Sequence, residues 1–373
     1  MEGVGAAERL RRFYRTDRFG AVLTAVLVVI SVVLVVDLGH RLATGRTGTA
    51  TFLTSLWNGL VFGMAIGLAG IGLAMTYSIL KFANFAHGDY VTAGAFAGWM
   101  GTFVVAGVGT ASLELLVLVS DDLSAGALGI NILAGIRPVV AIFVGLVFAA
   151  VATGVLSLAL DRILFKPMRD ASGIALLIAS VGLALAMRHI MQIIYGPETR
   201  TLTTGVPTLD FAVGGGVVRI GGHELTLVVL AALLMVLTHV LLQYTKLGTA
   251  MRAMADNEDL ALVTGIPTER VVRATWLIGG GLTGAAGFLI ALESGSMDNT
   301  MGWDLLLVIF SGVILGGIGS VYGAMVGGII IGVISQLSLI WLPSDLMVVT
   351  AFSVMIFILL IRPEGLFGGV ETV

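Results

Sequence analysis

Cysteine is absent from the 373 residues. That excludes disulfides, thiolate nucleophiles and any zinc or iron–sulfur centre built on cysteine. Charge is scarce: 12% of the residues are Asp, Glu, Lys or Arg, where soluble domains carry about 25%. The formal net charge is −3, so no basic field points to nucleic acid. Several motifs are missing as well. There is no G-x-x-x-x-G-K-[ST] loop for ATP and no G-x-S-x-G elbow. His223-Glu224 lacks the second His of a zinc protease helix. No nucleophile–base or metal constellation marks an enzyme.

What is present is apolar. Hydrophobic residues make up 57% of the chain, and the mean hydropathy is +1.05. A water-soluble chain of this length could not hide so much apolar surface. Lipid is the solvent that fits, so the fold class is an all-α polytopic transmembrane helical bundle. Proline is scarce at 7 residues and glycine abundant at 51. Many glycines sit in apolar runs at GxxxG spacing, as in Gly63/Gly67, Gly94/Gly98, Gly280/Gly284, Gly323/Gly327 and Gly328/Gly332. That spacing lets helices approach closely.

A bilayer core needs about 20 apolar residues per helix. Ten segments qualify as candidates: 20–36, 55–76, 90–109, 138–160, 172–194, 224–243, 272–292, 303–317, 321–340 and 346–361. The first and eighth are short, and 303–340 is also readable as one span plus a re-entrant piece. The expectation is eight to ten spans. Residues 1–36 have the basic start and apolar run of a signal peptide, but no small-residue cleavage site follows Asp37, which favours an uncleaved helix. With the N-terminus inside, fourteen Lys and Arg fall in inner segments, five in outer ones, and Arg188 inside a span. The positive-inside rule then places both termini in the cytoplasm.

Polar sequence interrupts the apolar runs in three places. Asn84, His87 and Asp89 lie between two runs; they are either a tight turn at the inner surface or functional groups near membrane depth. Residues 246–267 are too short to span. Leu247, Ala250, Met251 and Met254 recur at helical spacing, and Thr264-Gly265-Ile266-Pro267 stops that helix. Such a helix either lies on the bilayer or docks in a partner's groove; the acidic run Asp256 to Asp259 speaks against an anionic lipid surface. Gly316, Gly317 and Gly319, followed by Gly323, are expected to break a helix inside the membrane, which is tolerated only against protein or a cavity.

Read in order, these features resemble one family. The run from Asn58-Gly59-Leu60 through Gly72-Leu73-Ala74-Met75-Thr76-Tyr77-Ser78 to Asn84-Phe85-Ala86-His87-Gly88-Asp89 is similar to the N-terminal signature of branched-chain amino acid ABC transporter permeases of the LivH kind. Asp161 to Arg169 resembles the family's basic inner turn, Lys246 to Arg270 its coupling loop, and Leu315 to Gly328 its late Gly-rich segment. The resemblance covers roughly residues 55–368. Residues 1–54 add a basic segment and an extra helix, the loop around 110–136 is long, and 369–373 form a cytoplasmic tail.

The resemblance implies a function that composition alone does not. Such permeases pair with a second, related permease. Two cytoplasmic ATPase subunits hold the ATP, an external binding protein delivers substrate, and the chain itself needs no cofactor. The setting is a prokaryotic plasma or inner membrane, with lipid around the bundle and no nucleic acid. Substrates would be branched-chain amino acids, other amino acids, urea or short amides, moved by alternating access. On this reading Asn84, His87, Asp89, Gly316, Gly317 and Gly319 line the substrate path or gate. Gly248, Arg252, Asp256, Glu258, Gly265 and Ile266 form the ATPase coupling loop. The rival class is a stand-alone secondary transporter or channel, for which Arg188, His189, His87 and Asp89 are the ionisable material.

Overall fold

The computed structural model describes residues 18–107, 112–119, 136–201 and 208–368. Arg9, Arg11, Arg12 and Arg15, most of the long loop around 110–136, and the 369–373 tail lie outside the described residues.

All ten apolar segments expected from the sequence are helices. In chain order they are α1 (Arg18–Ala43), α2 (Thr49–Leu80), α3 (His87–Gly107), α5 (Ile136–Leu160), α6 (Gly173–Tyr195), α7 (Gly222–Tyr244), α10 (Thr268–Ser294), α11 (Met301–Gly316), α12 (Val321–Ser338) and α13 (Met347–Ile361). Short helices α4 (Leu113–Val117), α8 (Lys246–Asp256) and α9 (Glu258–Val263) connect them. Nine helices among the described residues are long and apolar enough to cross a membrane. The tenth, α11, has 16 residues and is about 24 Å long at 1.5 Å per residue.

The helices form a centre and a shell. The best apolar windows of α2 and α10 are each 89% buried, and that of α3 is 72% buried. Those of α1, α13 and α6 are 0%, 11% and 28% buried. A helix that is apolar all round must be covered by protein or by lipid; α2 and α10 take the first course and α1 the second. Glycine sets the spacing at the centre. A Cβ on Gly94 would sit 2.2 Å from Gly284 Cα, and one on Gly332 would sit 2.3 Å from Gly63 Cα. The expected close packing at the GxxxG pairs is therefore present, with backbone against backbone.

Two small sheets add to the all-helical expectation. Strands β1 (Arg200–Thr201) and β4 (Ser296–Met297) pair antiparallel, as do β2 (Thr208–Val213) and β3 (Gly216–Gly221). The β2–β3 hairpin turns through Gly214 and Gly215, both at positive φ, as a two-residue hairpin loop demands. Together with α4 these strands define one end of the bundle, the hairpin end. Arg200 stitches it: its guanidinium donates to the carbonyls of Leu118, Val119 and Tyr195.

The opposite, short-helix end carries α8, α9, the end of α5 and the chain after α13. Past Leu160 the α5 helix widens into a π turn over Asp161–Phe165. There Arg169 bridges the buried Asp161 (3.3 Å) and Glu269, which also meets Lys166 at 2.9 Å. Leu366 and Phe367 donate backbone hydrogen bonds to Leu315 and Gly316. The Gly316–Ser320 stretch is thus the turn between α11 and α12, at the level of Tyr77 and Ser78 near the end of α2. It does not break a helix in mid-membrane. Gly317 and Gly319 take φ of 109° and 87°, and Ser320 caps α12. Positive φ supplies the reversal that glycine alone adopts without strain.

Candidate functional site

After Leu80 the chain does not turn at the surface. Lys81, at φ 54°, ends α2 and donates to the Ala255 carbonyl at the tip of α8. Residues 82–86 then run back into the bundle. Phe82 packs on Phe165 at 5.1 Å, and Phe85 on Phe310 at 5.2 Å. The Phe85 N–H donates to Ser180 Oγ. Asn84 is buried and its Oδ1 accepts from the Ala86 N–H. His87 opens α3 with Nε2 3.0 Å from the Ala69 carbonyl. Ala69 lies about 16 Å up α2 from Leu80, so α3 begins in mid-bundle. Of the two sequence readings of this segment, the turn at the inner surface is the one that fails.

Two residues further on is Asp89, fully buried. Its carboxylate lies 3.5 Å from Arg188 Nε on α6. The Arg188 guanidinium also stacks over the Trp303 ring of α11, 4.6 Å from its centroid. The pair is close but not fully hydrogen-bonded: both Asp89 oxygens and Arg188 Nη2 lack a hydrogen-bond partner among the described residues. Opposite charges at this depth offset part of one another's desolvation, and a cation over an indole gains further. His189, the neighbouring titratable group, faces away and bonds its own helix at Leu185.

Beneath the start of α3, Gly72, Asn84, His87, Tyr90, Trp276 and Gly279 line a cleft too narrow for a water molecule. Helices α2, α3 and α10 are thus pressed together at this level. Of the six residues predicted for a path or gate, Asn84 and His87 line this cleft, and Asp89 lies beside it in the first turn of α3, facing Arg188. The other three lie elsewhere. Gly316, Gly317 and Gly319 belong to the turn at the short-helix end, where Gly319 lines a second cavity with Arg252 and Asp256.

The expected coupling segment is two helices rather than one. Asn257, with φ −157° and ψ 105°, ends α8 and caps α9 by accepting from the Leu260 N–H. Extended backbone at Asn257 is incompatible with a continuous helix, and Asn is a strong N-cap. Gly248 lies tight against the backbone of Leu241 and Leu242. Gly265, at φ 86°, and Ile266, whose N–H bonds the Ala261 carbonyl, close α9 as a left-handed cap. The apolar stripe of α8 turns inward: Met251 and Met254 are buried. Arg252 turns inward as well, donating to Gln243 Oε1. The face left outside belongs to α9, with Leu260, Leu262 and Val263 exposed by 58%, 59% and 79% beside exposed Glu258.

Sequence reasoning missed Trp303 and the cap at Asn257. The latter carried a signal, since Asn followed by Glu258 and Asp259 is an N-terminal pattern. Trp303 carried none.

A family of proteins described as the permease component of branched-chain amino acid transport systems matches residues 55–361. The chain is 28% identical to the Escherichia coli (strain K12) high-affinity branched-chain amino acid transport system permease protein LivH over 326 residues, which is 86% of this chain and 96% of that one. It is 26% identical to BraD of Pseudomonas aeruginosa, covering 86% and 97%. It is 28% identical to the probable LivH of Methanocaldococcus jannaschii, covering 83% and 90%. No solved structure matches the chain. A bundle of apolar helices around glycine-tight contacts, with a match running from α2 through α13, makes this chain a member of the branched-chain amino acid transport permease family.

Proposed function

We propose that the chain is the membrane-spanning subunit of an ATP-driven importer for branched-chain amino acids or a related small polar substrate. It works by alternating access, paired with a second, related permease. Two cytoplasmic ATPase subunits supply the energy from ATP, and an external binding protein delivers substrate to the hairpin end. The short-helix end faces the cytoplasm of a prokaryotic plasma or inner membrane, as the excess of Lys and Arg there favours.

The observation that carries this reading is α9. A helix of six residues held outside the spans, with Leu260, Leu262 and Val263 exposed, has no reason to present apolar side chains to water. An apolar face of that size fits a groove on a partner, and Glu258 and Asp259 at its start favour a partner with basic residues. Movement of that partner reaches the bundle through α8, whose Met251 and Met254 are buried. A shift from 1:99 to 99:1 between outward and inward states takes about 5.5 kcal/mol.

The test is reconstitution of the chain with its partner subunits in liposomes and measurement of leucine uptake. ATP-dependent uptake that Leu260→Glu abolishes supports the reading. The Asp89–Arg188 pair would favour a stand-alone carrier if it served ion coupling, and uptake by the chain alone without ATP would establish that reading instead.

A further inference from the structure

The cavity at the short-helix end is not explained by partner docking. It is bounded by the last turns of α2 and α7, by α8 and by the start of α12; it holds about 80 Å³ and is open to solvent on one side. Its lining combines the polar side chains of Ser78, Gln243, Arg252, Asp256, Ser320 and Tyr322 with the apolar ones of Met75, Ile79, Leu242 and Met251.

The polar side chains have unused capacity. Arg252 spends one nitrogen on Gln243 at 3.2 Å, and its buried Nε has no hydrogen-bond partner among the described residues. Asp256 is one helical turn along α8 from Arg252, yet makes no ion pair within 4.0 Å among the described residues. The N-terminus of the 18-residue α12 contributes Ser320, Val321 and Tyr322 to the same cavity. Ser320 Oγ accepts from the Gly323 N–H. Val321 and Tyr322 stand too early in the helix for their N–H groups to find an intrahelical acceptor, and a helix N-terminus favours a carboxylate. Tyr322 is held in place from α7, by a hydrogen bond from Gln243 and a 2.9 Å contact with His239 Nδ1.

A cation and helix dipole, a carboxylate one helical turn from the cation, and apolar side chains in the same lining form a three-part pattern. We infer that this cavity is a binding site for a free α-amino acid with an apolar side chain. The ligand carboxylate lies between Arg252 and the start of α12, its ammonium group meets Asp256, and its side chain lies on Met75, Ile79 and Met251. An occupant there bridges α2, α8 and α12, so it holds the inner helix to the bundle. The amino-acid class rests on the transport reading above. The site is separate from Asp89 and Arg188, which lie deep in the membrane and on other helices.

The test is equilibrium binding of radiolabelled leucine to the purified full-length chain in lipid nanodiscs. Saturable binding is expected. Competition by 4-methylpentanoate, which lacks the amine, or by isopentylamine, which lacks the carboxylate, should be weaker than by leucine by about tenfold or more, the scale of one hydrogen bond to a charged group. Arg252→Gln should weaken binding by about the same factor, while Gly182→Ala, where an added Cβ meets nothing within 4 Å, leaves it unchanged. If Arg252→Gln is not monodisperse, Asp256→Asn at the exposed end of α8 takes its place, with loss of discrimination against 4-methylpentanoate expected. Binding unchanged in Arg252→Gln or Asp256→Asn, or no binding at all, overturns the site. Leucine uptake by the reconstituted importer is measured in parallel. Uptake without such binding leaves the transport reading standing, and absence of uptake removes that reading itself.

Discussion

Asp89 and Arg188 come together 3.5 Å apart across α3 and α6, with the arginine stacked on Trp303. Neither charge would be stable alone at that depth. Asp89→Ala or Arg188→Ala should each lower stability by about 3–5 kcal/mol, the cost of leaving a buried charge unpaired. The double variant should cost less than the sum of the two, because it removes both charges at once. Thermal unfolding in detergent, followed by tryptophan fluorescence, reads all three.

Glycine contacts at the centre predict a contrast. Gly94→Val puts a side chain into Gly284 at 2.2 Å from Cβ alone, so α3 and α10 must separate. Gly173 and Gly182 on α6 have nothing within 4 Å of an added Cβ. Gly94→Val should abolish monodisperse expression, whereas Gly173→Ala and Gly182→Ala should behave as the parent on size-exclusion chromatography.

The coupling segment predicts different outcomes for neighbouring residues. Leu260→Glu and Val263→Glu alter only the exposed face of α9. They should leave thermal stability within about 0.5 kcal/mol, as surface changes do, while co-purification with the proposed ATPase subunits is lost. Arg252→Ala breaks the bond to Gln243 inside the protein. It should lower the melting temperature even with no partner present.

Absence of cysteine makes orientation directly measurable. Glu258→Cys on α9 and Glu198→Cys at the hairpin end are both exposed positions in a chain without background thiols. An impermeant maleimide applied to intact cells should label Glu198→Cys and spare Glu258→Cys. Inverted vesicles should reverse the pattern.

The spans were legible in the sequence because lipid imposes a length on each apolar run, and all ten segments are helices. The site was legible only in part. Asn84, His87 and Asp89 stood out by polarity, but six residues between two helices look the same as a surface turn when they run into the bundle. Arg188 was visible as a cation within a span, but its partner lies on another helix far away in sequence, and no local pattern encodes that contact. The Gly316–Gly319 run shows the opposite error. Its glycines suggest a break, and only packing against Leu366 and Phe367 reveals a turn at a helix end.

The stretch from Lys81 to His87 has a mechanical consequence. Its first residue is tied to the tip of α8 through the Ala255 carbonyl, and its last is pinned to Ala69 about 16 Å further in. The same short stretch thus touches α8 at one end and the middle of α2 at the other, and Asp89 follows His87 by two residues. A shift of the α8 tip and a shift of the first turn of α3 are therefore felt by one six-residue connection, which puts the Asp89–Arg188 contact within reach of events at the short-helix end.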